Sequence, residues 1–359
     1  MLSPLSCNED GLYWDPAQNQ EMICADIRDE THDVKTFTFV CKERRYFNFR
    51  AGQYFSFEVE TGGIVERRCY SISSSPLRPR SISITVKRVE GGIVSNWLHD
   101  NLAPGMEIQA QGPVGGFTIP SETDGKYLFL SGGSGITPLM SILRAYDDAH
   151  LFPDIVFLHA GRTPQDFIFH DELEFRARTM RNFRLMLLPE RIGGKPGFVG
   201  TVGRISKEYL GSAVPDLAER FTMCCGPAPF MAAVRGIMHE LGADPTRYLE
   251  ESFDPLADET TVATESIGEA VVSKFKVTFA RQAKAIEVSA SQSILSAAKK
   301  SGVRLPSSCA SGICGTCKSK LVSGKVDMQH GGGIRQREID AGMFLPCCSK
   351  PLTDLVVDR

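Results

Sequence analysis

Three cysteines crowd into nine residues, Cys309-Ala-Ser-Gly-Ile-Cys314-Gly-Thr-Cys317, and a fourth follows thirty residues later at Cys347. No other feature constrains the chain as strongly, because C-x4-C-x2-C with one distant partner is the spacing by which four thiolates close around a [2Fe-2S] cluster. A short loop can present three thiolates to one inorganic core only if its backbone bends tightly, and Gly312 and Gly315 permit that bend. Zinc sites usually draw their cysteines from paired C-x2-C knuckles. Here one half is C-x4-C and the other a lone adjacent pair, so zinc fits poorly. The pattern therefore predicts single-electron transfer. Spacing alone leaves the fourth ligand open between Cys347 and Cys348.

At 359 residues the chain exceeds one ordinary core and is expected to form two or three domains. Its 42% hydrophobic and 23% charged content is that of a soluble globular protein, and no apolar run approaches the roughly 18 residues a membrane span requires. A net charge of −3 offers no general attraction to nucleic acid. The first ten residues carry neither the basic nor the apolar region of a secretory signal, so a reducing cytoplasm is expected. Eleven cysteines suit that compartment. The cluster takes four, and the others are not spaced as a disulfide framework.

Periodicity changes along the chain. From about Met22 to Pro120, alternation in Val34–Cys41, Gln53–Glu60 and Ser81–Arg88, punctuated by Gly and Pro, predicts a small antiparallel β-barrel. From Lys126, apolar strands alternate with helical stretches up to Phe253, which predicts an α/β domain with a parallel sheet. Residues 255–273 are acidic, rich in Thr and Ala, and read as a linker. About nineteen such residues would tether the last domain flexibly and let it visit two positions. The expected boundaries are an extension at 1–21, a flavin barrel at 22–122, a nucleotide domain at 123–254, the linker, and a cluster domain at 274–359.

Within this frame lie four further constellations. Arg68-Cys-Tyr70-Ser71 offers a guanidinium for phosphate, an aromatic ring and a hydroxyl at a strand end, a set that suits a flavin but recurs by chance. Gly92-Ile-Val94-Ser95 places backbone amides and a hydroxyl at a helix start, an anion pocket for a pyrophosphate. Gly132-Gly133-Ser-Gly135-Ile-Thr137-Pro138 follows an apolar strand and opens a helix that Pro138 would preset, which fits a second nucleotide phosphate. Cys225-Gly226-Pro227 ends a later strand. The seven histidines show no metal-binding spacing, and no Rieske or mononuclear iron motif is present, so oxygen chemistry must occur elsewhere.

Together, R-x-Y-S, G-x-x-S, Pro104-Gly105, Gly112-Pro-Val-Gly-Gly-Phe117 and C-G-P resemble the ferredoxin-NADP reductase family over residues 22–253. The resemblance implies FAD, with Arg68, Tyr70 and Ser71 on the flavin and Gly92, Val94 and Ser95 on its pyrophosphate. It implies Gly132, Gly133, Gly135 and Thr137 on the nicotinamide dinucleotide, and the Cys225-Gly226-Pro227 thiol beside the hydride-donating carbon. Arg162-Thr-Pro-Gln-Asp166 resembles the segment meeting the adenosine ribose. An acidic group there favours NADH over NADPH, while Arg162 argues mildly the other way. In relatives a Glu and an aromatic ring from the end matching Glu250-Glu251-Ser252-Phe253 reach toward the flavin, here Glu251 and Phe253. A solvated acidic pair with a core Phe fits these residues almost as well.

The tail Cys347-Cys-Ser-Lys-Pro-Leu-Thr-Asp354 resembles the end of plant-type ferredoxins, which implies a β-grasp α+β domain and favours Cys347 as fourth ligand after Cys309, Cys314 and Cys317. Over nearly its whole length the chain resembles reductase components of bacterial Rieske monooxygenases that demethylate quaternary amines such as glycine betaine or stachydrine. That implies an external Rieske-type oxygenase as electron acceptor. The NADH reductase of the hybrid-cluster protein shares the module order and is the second reading. A redox sensor or carrier without turnover is the third, opposed by complete hydride-transfer residues at Ser71 and Cys225.

Overall fold

The computed structural model describes residues 12–16, 18–120, 125–193, 198–253, 274–303, 305, 312, 315, 317–330, 334 and 336–359. The expected linker, Cys309 and Cys314 lie outside them. The chain divides into two compact units, one built from residues before 60 and from 70 to 253, the other from the carboxyl-terminal segment with residues 60–69.

Between residues 20 and 114, β1 (Gln20–Thr31), β2 (Val34–Cys41), β3 (Tyr54–Thr61), β4 (Ile64–Ser71), β5 (Ile82–Lys87) and, after helix α1 (Ile93–Asn101), β6 (Glu107–Val114) form one sheet in the order β4-β3-β6-β1-β2-β5. Beyond β4 the chain bridges antiparallel from Ile72 to Ile84 on β5, so the sheet's two edges meet and close the barrel. Alternation decides what faces in. Phe37, Phe39 and Cys41 of β2 and Phe55 and Phe57 of β3 point to one interior core with Trp14, Ile82 and Ile84.

The first unit continues as β7 (Lys126–Gly132), α2 (Ile136–Asp148), β8 (Asp154–Gly161), α3 (His170–Thr179), β9 (Phe183–Pro189), α4 (Lys207–Ala213), β10 (Phe221–Cys225), α5 (Ala228–Glu240) and β11 (Tyr248–Glu251). All five strands are parallel, in the order β11-β10-β7-β8-β9. Both faces are covered, which explains the unbroken apolar run of β7. Tyr127 and Phe129 enter the core under α2 and α3, and Leu128 and Leu130 enter the core under α4 and α5. Full burial of Phe129 and Leu130 contributes on the order of 2–3 kcal/mol each. No helix among the described residues is long and apolar enough to cross a membrane.

The second unit holds β12 (Lys274–Phe279), β13 (Lys284–Ser289), α6 (Ile294–Lys300), β14 (Ser319–Ser323), β15 (Val326–Met328), α7 (Gln336–Asp340), β16 (Met343–Phe344), β17 (Ser349–Pro351) and β18 (Leu355–Asp358). The mixed sheet β13-β12-β18-β14-β16 packs on Ile294, Leu295, Ala297 and Ala298 of α6, the α+β β-grasp arrangement. Ser293 starts α6 by accepting from the Ser296 amide at 3.2 Å.

Candidate active site and cluster loop

Strand order creates the first site. The sheet grows from β7 toward β8 and β9 on one side and toward β10 and β11 on the other, so a crevice opens at the carboxyl ends of β7 and β10. Register places Glu251 beside Cys225, Cys225 beside Ser131 and Ser131 beside His159, a polar row across four strands. Cys224 points to the opposite face and is ordinary core.

The glycine-rich turn after β7 is a single 3-10 turn, Gly133–Gly135, with Gly133 at φ +52°. The helix starts at Ile136 rather than Pro138, which falls inside its first turn. Close approach to a phosphate is one use for these glycines, but Gly135 has a more immediate one. A Cβ there would lie 2.1 Å from the Cys225 carbonyl oxygen and 2.5 Å from the Gly226 nitrogen. Gly226 in turn would place a Cβ 2.8 Å from Phe230 and 3.0 Å from the Gly132 nitrogen, and Pro227 packs on Gly132 from the other side. Two turns from strands remote in sequence thus interlock with no space for a side chain. Thr137 is buried and its hydroxyl donates to the Ser134 carbonyl at 3.1 Å, bracing the turn from inside.

Ser71, buried at the end of β4, donates its hydroxyl to Glu251 Oε2 at 3.3 Å. Burial pushes the Glu251 carboxyl up to about 8, an effect the Ser71 hydrogen bond opposes. Burial, then the nearby Glu251, hold the Cys225 thiol far above its usual range, so it is neutral. Tyr70 packs against the barrel core 6.2 Å from the Phe57 ring, and Arg68 lies three residues before Ser71 on β4, donating to the Arg67 carbonyl. Phe253, just beyond β11, is 43% exposed.

Residues fit for a flavin pyrophosphate meet at α1. The helix begins after Gly92 with no side-chain cap, which leaves its first amides open to an anion. Ser95 accepts from the Val89 amide at 3.3 Å and Val94 is buried beside it. A Cβ on Gly92 would lie 2.5 Å from the Ser95 hydroxyl and fill the cradle. In the ribose segment Arg162 is exposed, while Asp166 Oδ2 accepts from the amide and hydroxyl of Thr163 at 2.8 and 2.7 Å, closing a capping box. Its Oδ1 stands 3.8 Å from His32 Nδ1.

Sequence reasoning missed Ser131 and His159. The Ser131 hydroxyl lies 2.8 Å from His159 Nδ1, Nε2 finds no partner, and burial drives the His159 pKa down to about 3. A polar residue as the last inward position of an apolar strand is the signal that would have found both. The structure brings Cys317 and Cys347, both buried, to 3.1 Å between sulfurs, with no disulfide. The Cys348 thiol instead donates to the Leu345 carbonyl at 3.6 Å and backs onto Gly312, where a Cβ would lie 2.6 Å from its sulfur. Gly312 and Gly315 hold φ of +72° and +71°, the left-handed bend that side chains resist. Paired buried thiols beside such a loop suit an iron-sulfur centre.

A flavin barrel, a nicotinamide crevice and a cluster loop in one chain define an oxidoreductase that passes electrons from a nicotinamide through FAD to a [2Fe-2S] centre. Comparison with known proteins agrees: residues 22–119 match the oxidoreductase FAD-binding domain, 129–236 the oxidoreductase NAD-binding domain and 277–352 the 2Fe-2S iron-sulfur cluster binding domain. The chain is 42% identical to the glycine betaine monooxygenase reductase subunit of Pseudomonas aeruginosa, covering 93% of this chain and 94% of the relative. It is 36% identical to the stachydrine N-demethylase reductase subunit of Rhizobium meliloti, covering 96% and 98%. Among solved structures, phthalate dioxygenase reductase shares the fold, with TM-score 0.58 and 24% identity over 95% of this chain and 98% of that one. The chain belongs to the family of flavin- and iron-sulfur-containing reductase subunits that serve oxygenases.

Proposed function

We propose that this chain takes electrons from NADH and delivers them to a Rieske-type oxygenase that demethylates a quaternary amine such as glycine betaine or stachydrine. What carries the reading is similarity of 42% and 36% across nearly the full length to the two reductase subunits so named. When bound, NADH supplies a hydride, FAD converts that electron pair to single electrons, and the cluster accepts them one at a time. The chain's own residues position these groups. Arg68, Tyr70 and Ser71 hold the flavin, and Gly92, Val94 and Ser95 hold its pyrophosphate. Gly132, Gly133, Gly135 and Thr137 shape the dinucleotide turn, with Gly226 and Pro227 closing it. Cys225, neutral and dry, packs where the nicotinamide would lie, and Phe253 would cover the flavin ring. Glu251 keeps its proton below about pH 8 and so stands uncharged beside Ser71 at neutral pH. Asp166 sets negative charge beside Arg162 where a 2′-phosphate would sit, which favours NADH. Cys309, Cys314, Cys317 and Cys347 ligate the cluster, and a reducing cytoplasm is the setting that keeps such thiolates available to iron.

The test is reconstitution. The purified protein with NADH and candidate oxygenases should support formaldehyde release from glycine betaine or stachydrine with a Rieske partner. Rapid flavin reduction without formaldehyde from any quaternary amine would assign the chain to another acceptor.

A further inference from the structure

Besides Tyr146 and Asp147 near its end, the polar residues of helix α2 form a stripe at Thr137, Ser141, Arg144 and Asp148, spaced four, three and four residues apart and hence on one face. That face meets the barrel. Ser141 donates its hydroxyl to the Ser74 carbonyl at 2.7 Å, and Arg144 Nη1 donates to the Ser73 carbonyl at 2.6 Å. Asp148 receives two hydrogen bonds from Arg78, at 2.8 and 2.6 Å. Arg144 is itself held rigidly. Its Nε donates to Glu172 Oε1 at 2.8 Å, its Nη2 pairs with the second Glu172 oxygen, and its guanidinium lies 4.5 Å from the centre of the Phe169 ring. Arg176 donates to the same carboxylate at 2.9 Å and pairs with Asp147 at the end of α2. Although burial opposes ionisation, Arg144 and Arg176 hold the Glu172 carboxyl down at about 2, so the network stays charged at working pH.

The two ends of α2 therefore serve one purpose. Its first turn abuts Gly135, which has no clearance from the Cys225 peptide, and its polar stripe grips the two carbonyls that follow Ser71 and Ile72. We propose that Ser141 and Arg144 are positioning residues for hydride transfer: through α2 they fix the strand end carrying Ser71 relative to Cys225 and Glu251. Neither touches a reacting atom. With both groups bound, a hydride, two electrons with one proton, would pass from the nicotinamide to the flavin, oxidising the first and reducing the second. The strut sets the approach of the protein segments that hold those two rings. The inference rests on nicotinamide-to-flavin transfer alone and is independent of which oxygenase is served.

The test uses the full-length holoprotein and the variants Ser141→Ala, Arg144→Lys and Arg144→Gln. At saturating NADH, Arg144→Gln should slow flavin reduction by about tenfold or more, with NADH affinity within about twofold of wild type and FAD stoichiometry unchanged. Ser141→Ala should slow it less, and Arg144→Lys, which keeps charge but loses the fork, should fall between wild type and Gln. Two readouts stand apart from turnover. Hydrogen exchange across residues 72–78 should speed up, and the long-wavelength charge-transfer absorbance of reduced flavin with NAD⁺ should weaken. A clasp that merely stabilises the fold would lower the unfolding midpoint, leaving the rate per bound flavin and the absorbance at wild-type values, and that result overturns the proposal. If Arg144→Gln does not fold, Ser141→Ala and Arg144→Lys decide by the same readouts.

Discussion

The hydride end and the cluster end of this protein solve the same problem, holding redox groups in fixed geometry, by opposite means. At the cluster end a nine-residue loop, Cys309 to Cys317, supplies three of the four expected ligands, and only Cys347 comes from elsewhere. At the hydride end Ser71, Gly135, Cys225 and Glu251 come from four strand ends and meet only because strand order and register bring them there. One site is written locally and the other is a product of topology. Damage should accordingly stay confined at the first and spread at the second.

The sharpest contrast lies in the adjacent cysteines. Cys347→Ser should abolish bound iron and its visible absorbance, Cys348→Ser should retain both, and NADH should bleach the flavin at the wild-type rate in either variant. The opposite iron contents would exchange the roles of the two residues.

Next in size is a pair of glycines. Gly135→Ala drives a methyl into the Cys225 peptide, and because backbone cannot be repacked by a neighbouring substitution, flavin reduction should fall on the order of 100-fold. Gly312→Ala meets the Cys348 sulfur instead, and adding Cys348→Ala should recover part of the lost iron. The left-handed backbone cost of about 1 kcal/mol remains. Stopped-flow absorbance and iron assays read both. Failure of Cys348→Ala to return any iron to Gly312→Ala would show that the cluster loop is as intolerant as the hydride end.

A smaller effect concerns pH. The folded pKa of Glu251 is raised, so its contribution to stability is complete below the unfolded value near 4.5 and is lost as pH rises to about 8. The rate of flavin reduction should change near pH 8, and Glu251→Gln should flatten that step. A profile unchanged by the substitution would show that another group titrates.

The smallest effect belongs to His159, whose folded pKa is depressed. Stability is full above about pH 6.5 and falls by about 1.4 kcal/mol per pH unit as the unfolded chain takes up a proton that the folded chain refuses. Denaturant titrations between pH 7 and 5 should show a shallower slope for His159→Gln. An identical slope would mean that the imidazole is solvated.

How much of this was legible follows the same division. The cluster loop, the parallel sheet and the strand ends could be read because each depends on residues close in sequence: alternation in Val34–Cys41, the apolar run of β7, the cysteine spacing. Strand β1, twelve residues long, escaped because only Met22 and Cys24 in it are fully buried and no clean alternation marks its length. The Ser71–Glu251 contact joins residues 180 apart and no local pattern encodes it; resemblance to a family pointed there, and geometry supplied the hydrogen bond. Asp166 was read for its charge, yet its capping of Thr163 depends on a 3-10 turn that spacing did not mark. Arg144 belongs to no motif, and only its contacts with the Ser73 carbonyl and Glu172, both remote in sequence, set it apart.

The Cys225 thiol has a consequence of a different kind. Reduced flavins and iron-sulfur centres pass electrons to dioxygen, and the peroxide so formed attacks thiolates far faster than thiols. Cys225 has no solvent exposure, and burial keeps its proton on. This sulfur is thus poorly able to react with the product of such a leak, and the dryness that would suit hydride transfer also protects it from ageing by the enzyme's own side reaction.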